Sequence, residues 1–438
     1  MAKKTKAADL SIEEKLEQAL VVPGYEPYTI PDNWCWLKLL ASFDNCTDSK
    51  KKVKQKQYLE SGTWAIIDQG KQEIGGYTND EALLYTGNLP VIIFGDHTRC
   101  IKYIDFPFAQ GADGVKVLRP KSFYFPKLFY YALQSVEIPN LGYRRHFPIF
   151  DRFAIPLPPL PEQQRIVEHI ESLFSKLDEA KEKAQEVIDS FETRKAAILH
   201  KAFSGELTAK WREENGVGIE SWENRSINDI CHSLKYGTSK KSKTQGSVIV
   251  IRMGNLQQGE IDWSDLAYTD DKEDIEKYRL YPGDVLFNRT NSAVLVGKTS
   301  IYRGEFPAIY AGYLIKLDYK HDEIIGDYLN YVLNTPAAKE YCNNVKTDGV
   351  NQSNINAKKI GAFVIPVASI NEQQVIVEII SSLLKKENES KQAAEVVIDQ
   401  IDAMKKAILA RAFRGELGTN DPEEESAVEL LKQILSGE

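Results

Sequence analysis

Two kinds of side chain recur in clusters along this chain, and together they suit a polyanion that carries bases. Basic runs occur at SKKKVKQK (49–56), LGYRRHF (141–147) and SLKYGTSKKSK (233–243). Lysine and arginine on exposed loops neutralise phosphates, whereas Arg, Asn, Gln, Ser and Thr at loop tips match the donors and acceptors of base edges. On this ground Lys50, Lys51, Lys52 and Lys54 are candidate phosphate contacts, and Gln69, Lys71, His97, Thr98 and Arg99 are candidate base readers. Tyr143, Arg144, Arg145 and His146 occupy a loop that leads back to a long helix. A second set follows in the same order: Lys240, Lys241 and Lys243, then Arg252 and Asn255. Arg289, Thr290, Asn291 and Ser292 follow an apolar strand as His97 to Arg99 do, and Asn351, Gln352, Ser353 and Asn354 fill the loop corresponding to Arg144. One polar loop residue means little; two sets in matching order are the signal.

Residues for catalysis are missing by type and by spacing. The five cysteines (Cys35, Cys46, Cys100, Cys231, Cys342) form no CxxC pair and the six histidines show no ligand spacing, which argues against a zinc site or a disulfide framework and for a reducing, cytoplasmic setting. A GKT at 297–299 ends like a phosphate-binding loop, but the glycine required five positions earlier is Ser292. FGDHT and YTGN lack the glycine pattern of a methyl-donor site, and no Asn/Asp-Pro-Pro-aromatic string for base methylation occurs. The expectation is a binding protein with no catalytic residue, no metal and no cofactor of its own.

The net charge of −8 does not oppose a nucleic-acid partner, because it is unevenly spread. From Asp421 to Glu438 six acids face one lysine, Lys432, so that segment alone carries −5. Hydrophobic residues make up 42% of the 438 and charged residues 27%, the balance of a globular protein of two or three domains. No apolar run approaches the ~18 residues of a membrane span, and MAKKTKAADL leads into a charged segment rather than a signal-peptide core. No membrane partner is expected.

The elements that must position these residues are announced by a repeat. EQQRIVE at 162–168 returns as EQQVIVE at 372–378, and residues 153–208 lie over 363–418 without a gap, with about half of the positions identical. Each copy reads as one long helix of about 42 residues, roughly 60 Å. In the first, Ile166, Ile170, Leu173, Leu177, Ala180, Ala184, Val187, Phe191 and Ile198 form a heptad seam with a gap at Arg194. In the second, Ile376, Ile380, Leu383, Ala394, Val397, Ile401, Met404 and Ile408 continue it, with the seam spoiled at Glu387 and Ser390. Pro161 fits the first helical position, Asn371 fits an N-cap, and Gly205 and Gly415 fit C-terminal caps. Between the helices, alternating strands with turn signals (TWAIIDQG, LPVIIFGDH and DGVKVLRP; then SVIVIRMGN, GDVLFNRTN and PAIYAGYLIKL) precede a short helix in each half, PKLFYYALQS and DYLNYVLNTP.

The fold class expected is therefore α+β: two mixed α/β domains separated by two long helices in an antiparallel coiled coil, with an internal pseudo-two-fold repeat. The boundaries are an N-terminal helical segment (1–24), a first recognition domain (25–155), a first spacer helix (156–208), a second recognition domain (209–365), a second spacer helix (366–418) and an acidic tail (419–438).

The strings IPLPPLPEQQRIVEHIESLFSKLDEA and AFSGELTAKWREENG, and the second EQQ helix ending in AFRGEL, resemble the specificity (S) subunit of type I DNA restriction-modification systems. DQGKQEIGGYTND, the FGDHTRC loop and DGVNQSNINAKKI are similar to parts of that family's target-recognition domains; PVASINEQQ, in place of a second PLPPLPEQQ, departs from it. The resemblance implies a DNA-reading subunit in which each domain reads half of a split double-stranded DNA target. It implies helices that set the spacing and dock two methyltransferase (M) subunits, with restriction/translocase (R) subunits joining. S-adenosylmethionine, ATP and Mg would belong to those partners. Two other readings use the same residues: a coiled-coil scaffold binding proteins rather than DNA, and a self-contained DNA-modifying enzyme, which the missing methylation motifs disfavour.

Overall fold

The computed structural model describes residues 11–142, 144–350 and 352–436. The chain forms two compact units, Met1–Ala184 with Val396–Glu438, and Gln185–Glu395. No helix among the described residues is long and apolar enough to cross a membrane.

The first unit contains β1 (Cys35–Lys38), β2 (Phe43–Asn45), β3 (Trp64–Ile67), β4 (Gly76–Thr78), β5 (Val91–Gly95), β6 (Ile101–Ile104), β7 (Phe108–Gln110), β8 (Val115–Pro120) and β9 (Ala154–Leu157). An antiparallel sheet runs β2-β8-β5-β6, a second runs β4-β3-β7 with β3 parallel to β7, and β1 pairs antiparallel with β9. VIIFG of β5 is buried along its whole length, as a continuous apolar run between two neighbours requires. The helix Pro126–Ser135 starts on its proline and buries Leu128, Phe129, Ala132 and Leu133 completely.

The second unit contains β10 (Glu223–Ser226), β11 (Cys231–Tyr236), β12 (Val248–Ile251), β13 (Tyr268–Thr269), β14 (Val285–Asn288), β15 (Thr299–Ile301), β16 (Ala308–Tyr310), β17 (Leu314–Tyr319) and β18 (Val364–Val367). Its sheets run β11-β17-β14-β15 and β13-β12-β16, with β12 parallel to β16, and β10 pairs antiparallel with β18. Strand for strand this is the order of the first unit, although the sequences of the two domains, one before the first long helix and one between the two, do not resemble each other. PAIYAGYLIKL proves to be two strands in different sheets, β16 and β17, turned by Ala311–Tyr313. Additional short strands form a hairpin at Leu256–Gln257 and Glu260–Ile261, and a three-stranded patch from Thr290–Asn291, Thr347–Asp348 and Ser353–Asn354.

The first long helix is interrupted rather than continuous. It runs Leu160–Asp189 and resumes at Phe191–Phe203, because the Ser190 hydroxyl donates back to the Glu186 carbonyl and competes with the helical ladder. The second is unbroken over 43 residues, Ile370–Ala412. Its N-terminal cap is not Asn371, which lies inside the helix: Ser369 Oγ accepts from the Glu372 amide at 3.3 Å. Gly205 and Gly415 take φ of +82° and +73° just past the helix ends, the left-handed turn that only glycine adopts freely.

Within the first unit Lys405 pairs with Asp178 at 2.5 Å and Lys181 with Asp402 at 3.9 Å; within the second Arg194 pairs with Glu387 at 2.5 Å and Lys391 sits over the Phe191 ring. As the number rises on one helix it falls on the other. Not every expected seam residue is covered. Ala180 is exposed, and Val397 and Met404 are 40% and 46% exposed, while Ala394 and Ile401 are buried. Ala394 and Ile401 lie one heptad apart and are covered, whereas Val397 and Met404, also one heptad apart, face the surface.

The heads of both helices are anchored by buried carboxylates. Glu162 accepts from Trp34 Nε1 at 2.7 Å, Asn420 Nδ2 at 2.9 Å and Thr419 Oγ1 at 3.1 Å. Glu372, its equivalent 210 residues on, accepts from Trp222 Nε1 at 2.8 Å, Thr208 Oγ1 at 2.7 Å and Arg212 Nη1 at 2.7 Å. The following glutamines act alike: Gln163 accepts from the Phe125 amide and donates to the Phe123 and Pro158 carbonyls, and Gln373 accepts from Ile325 and donates to Glu323 and Ala368. The acidic C-terminal segment is folded. Its helix Ala427–Ser436 buries Ala427 and Leu431, Glu424 takes both Arg165 Nη atoms at 2.8 Å, and Lys15 Nζ donates to the Leu435 carbonyl.

Removing the Glu372 carboxylate leaves the Arg212 guanidinium buried without its charge partner. Glu372→Ala is expected to destabilise the second unit by about 3–5 kcal/mol. Glu378→Ala, on the exposed face of the same helix, should stay within about 0.5 kcal/mol. Urea denaturation of both variants checks this; equal midpoints would refute the anchoring role.

Candidate nucleic-acid interface

In the first unit three loops meet. The loop after β3 carries Gln69 and Lys71, the β5–β6 turn carries His97, Thr98 and Arg99, and the third loop runs through 138–147. Gln69 binds the first two together: its Oε1 accepts from the His97 amide at 3.2 Å and its carbonyl from Thr98 Oγ1 at 2.6 Å. The approach is close enough that a Cβ on Gly95 would lie 2.2 Å from Thr98 Oγ1. Arg99, at φ +61°, donates Nη1 to the Ile138 carbonyl at 2.9 Å and so braces the third loop.

His146 corrects the sequence reading. It is fully buried, accepts from the Leu141 amide at Nε2, and its Nδ1 lies 2.8 Å from the Asp96 carbonyl. It closes the loop from inside and is not available to a ligand. Asp96, whose carboxylate accepts from the Phe147 amide at 2.7 Å, is the hub that sequence reasoning missed; its place in the quoted FGDHT turn, after a fully buried strand, was the available signal. Lys71, Thr98, Arg144 and Arg145 remain exposed on this loop cluster, and Tyr143 lies outside the described residues. Of the lysine run, Lys50 and Lys54 are exposed, Lys52 is half-buried, and Lys51 donates to the Leu84 carbonyl at 3.0 Å.

In the second unit Lys240, Lys241, Arg252, Arg289 and Thr290 line one cleft of about 580 Å³. Arg289 is its best-held cation. The guanidinium lies 4.8 Å from the Tyr236 ring centroid, and its Nη atoms donate at 3.3 Å to the Gly312 carbonyl and to Asn354 Oδ1. Asn354 Nδ2 in turn donates to Thr290 Oγ1 at 2.8 Å, so the 289–292 and 351–354 sets, separate in sequence, are joined through paired short strands. Asn291 is half-buried, Ser292 and Gln352 are exposed, and Asn351 lies outside the described residues. Arg252 pairs with Asp265 at 2.9 Å. Tyr236, beneath Arg289, was also missed, though it sits in the quoted SLKYGTSKKSK run.

Five members of the second set need correction. Asn255 is buried and its amide closes a turn by donating to the Asp262 and Asp265 carbonyls. Ser353 is buried with its hydroxyl on Asp348, and Thr290 is buried in the strand pair. Lys240 is not a free cation: Asp271, Asp274 and Glu273 lie 2.8, 3.3 and 3.7 Å from Nζ, and the hydrogen bond it donates to Asp271 raises its pKa above the ordinary lysine range. Lys243 likewise pairs with Asp270 at 3.4 Å. Lys241 is exposed and has no ion pair among the described residues.

This arrangement offers a braced guanidinium fork and exposed amide and hydroxyl groups at loop tips, which suits recognition rather than bond making. Comparison with known proteins agrees. The specificity subunit of the type I restriction enzyme EcoKI from Escherichia coli (strain K12) is 26% identical over 301 residues, covering 65% of this chain and 64% of that one. That of StySPI from Salmonella potsdam is 25% identical over 273 residues, covering 61% and 58%. The chain thus aligns with about three fifths of the length of these relatives. The HsdS subunit of Thermoanaerobacter tengcongensis shares the fold, with a TM-score of 0.56 at 17% identity over 89% of this chain and 99% of that one. The profile of the type I restriction modification DNA specificity domain matches residues 39–189 and 219–398, most of both halves, and the chain belongs to that family.

Proposed function

We propose that this chain is the DNA sequence-recognition subunit of a type I restriction-modification complex. The observation that carries the reading is the duplicated unit: two domains with the same strand order, each with a cluster of polar and cationic loop residues and each followed by one copy of the repeated helical segment. Each domain reads one half of a bipartite double-stranded target. The two long helices form an antiparallel coiled coil, a reading that the descending order of ion pairs along them supports, and in this reading the pair sets the spacing between half-sites and docks two methyltransferase subunits. Domains 25–155 and 209–365, the spacer helices 156–208 and 366–418, and a pseudo-two-fold relation between the halves belong to the same reading. The chain itself is non-catalytic; S-adenosylmethionine, ATP and Mg act on partner subunits, and restriction/translocase subunits complete the assembly in the cytoplasm. The alternative of a scaffold that binds only proteins is disfavoured by Arg289, whose bracing leaves a fork suited to a base or phosphate.

Four outcomes test it. Arg289→Ala, and equally Arg289→Lys, should relax discrimination in one half-site by about 1–3 kcal/mol, because lysine cannot reproduce the planar fork. Lys241→Ala should weaken all sequences alike and lower the slope of log affinity against log salt by about 1. Competition binding of the assembled complex to target and mutated duplexes reads both; undiminished discrimination in Arg289→Ala would remove that residue from the interface.

Arg144→Ala with Arg145→Ala should weaken binding through the other half-site without lowering thermal stability, since both are exposed. Unchanged affinity near physiological salt would count against the loop. Finally, deleting seven residues from both long helices keeps the apolar stripe in phase and shortens each by roughly 10 Å, about three base pairs. The methylated motif should keep both half-sites with a shorter spacer, or activity should vanish if the partners no longer dock. An active protein with an unchanged spacer would refute the ruler.

A further inference from the structure

A second cationic cavity, of about 390 Å³, lies in the Gln185–Glu395 unit away from the Arg289 cleft. It is walled by the helix Phe191–Phe203, the Gln257–Gln258 hairpin tip, the loop Val294–Thr299 and the helix Pro336–Val345. Three of these elements each direct one lysine to it: Lys195, Lys298 and Lys339. We propose that this cavity binds a phosphate-class oxyanion, held by the ammonium groups of Lys195, Lys298 and Lys339.

Glu192 is the one carboxylate among the described lining residues, so three cations face a single anion. In the same unit Lys240 is matched by three carboxylates and Lys316 by Asp284. Here Lys195 and Lys298 have neutral acceptors instead, Gln258 Oε1 and Gln257 Oε1, each at 2.9 Å, and Lys339 has no side-chain hydrogen bond among the described residues. Burial pushes the Lys195 and Lys298 ammonium pKa values down; Glu192 opposes this at Lys195, and the charge of Lys339 lowers both. Like charges gathered in a half-buried space destabilise one another, and an oxyanion among them relieves that repulsion.

The cavity is also held in shape. Gln258 and Gly259 take φ of +57° and +94°, the doubly left-handed turn of a two-residue hairpin, with a non-glycine residue at the first position. That turn aims Gln258 so that it accepts from Lys195 and donates Nε2 to Glu192 at 3.3 Å, fixing the charged pair on the helix. Lys298 is the lysine of the GKT string. Without the upstream glycine there is no loop of backbone amides to wrap a phosphate, so the anion is held by side-chain point charges from three directions.

Calorimetric titration of the full chain with inorganic phosphate tests the site. Saturable binding is expected, weakened about tenfold by Lys298→Met and by Lys339→Met, retained in Lys298→Arg, and unchanged in Lys385→Met on an exposed helix face. Lys339 is exposed and bonds to nothing through its side chain among the described residues, so its variant keeps the test meaningful if Lys298→Met folds poorly. A titration in the presence of a random-sequence DNA duplex separates the sources. Loss of the Lys339-dependent component assigns the site to backbone phosphates, and its persistence assigns it to a free phosphate-bearing molecule. Absence of saturable binding, or equal binding by Lys339→Met and the unaltered chain, overturns the proposal. DNA discrimination by Arg289 is untouched by either result.

Discussion

A buried carboxylate at the head of each long helix holds the rest of the structure in place. Glu162 and Glu372 are 0% and 1% exposed, and a carboxylate taken out of water is tolerated only if its oxygens are satisfied. The two copies satisfy them differently. Glu372 has a cation, Arg212, with Thr208 and Trp222; Glu162 has only neutral donors, from Trp34, Thr419 and Asn420. In both, the indole comes from the residue before the first strand of a domain, and the other donors come from the segment after a long helix. Domain, helix head and tail therefore share one polar network in each unit, and the adjacent glutamine ties in the turn before the domain's own helix. That is why EQQ returns 210 residues later while the sequence between the copies changes almost completely.

The frame was legible because its determinants are local and repeated. Apolar runs bounded by glycine, proline and polar clusters mark β3, β5, β8, β12 and β14, and PKLFYYALQS corresponds to the helix Pro126–Ser135 in every residue. What sequence could not deliver was pairing across distance. Lys240 reads as one of a basic run, yet the carboxylates that engage it begin 31 residues later. His146 stands beside two exposed arginines and looks like one of them, but its partner Asp96 is 50 residues away and turns it inward. Arg289 and Asn354, 65 residues apart, appear as members of two separate sets although one hydrogen bond joins them. Charge runs count one sign; the structure supplies the other.

The heptad seam shows the same limit in reverse. Period alone gives Val397 and Met404 the same standing as Ala394 and Ile401, because spacing does not reveal how many layers cover a helix. It also leaves register open, since a strict seven-residue repeat fits its partner almost as well after a shift of one heptad. The two irregularities in the pattern resolve this. The gap at Arg194 in the first copy and the spoiled position at Glu387 in the second meet at 2.5 Å, and Arg194 Nη2 also donates to the Val187 carbonyl at 3.1 Å. A shift by one heptad would set Arg194 against Ile380 or Ala394 and separate the pair. The apolar stripe supplies the association, and the polar interruption selects which of its equivalent alignments is adopted. For the proposed ruler that selection is required, because an unselected stripe would measure several lengths at once.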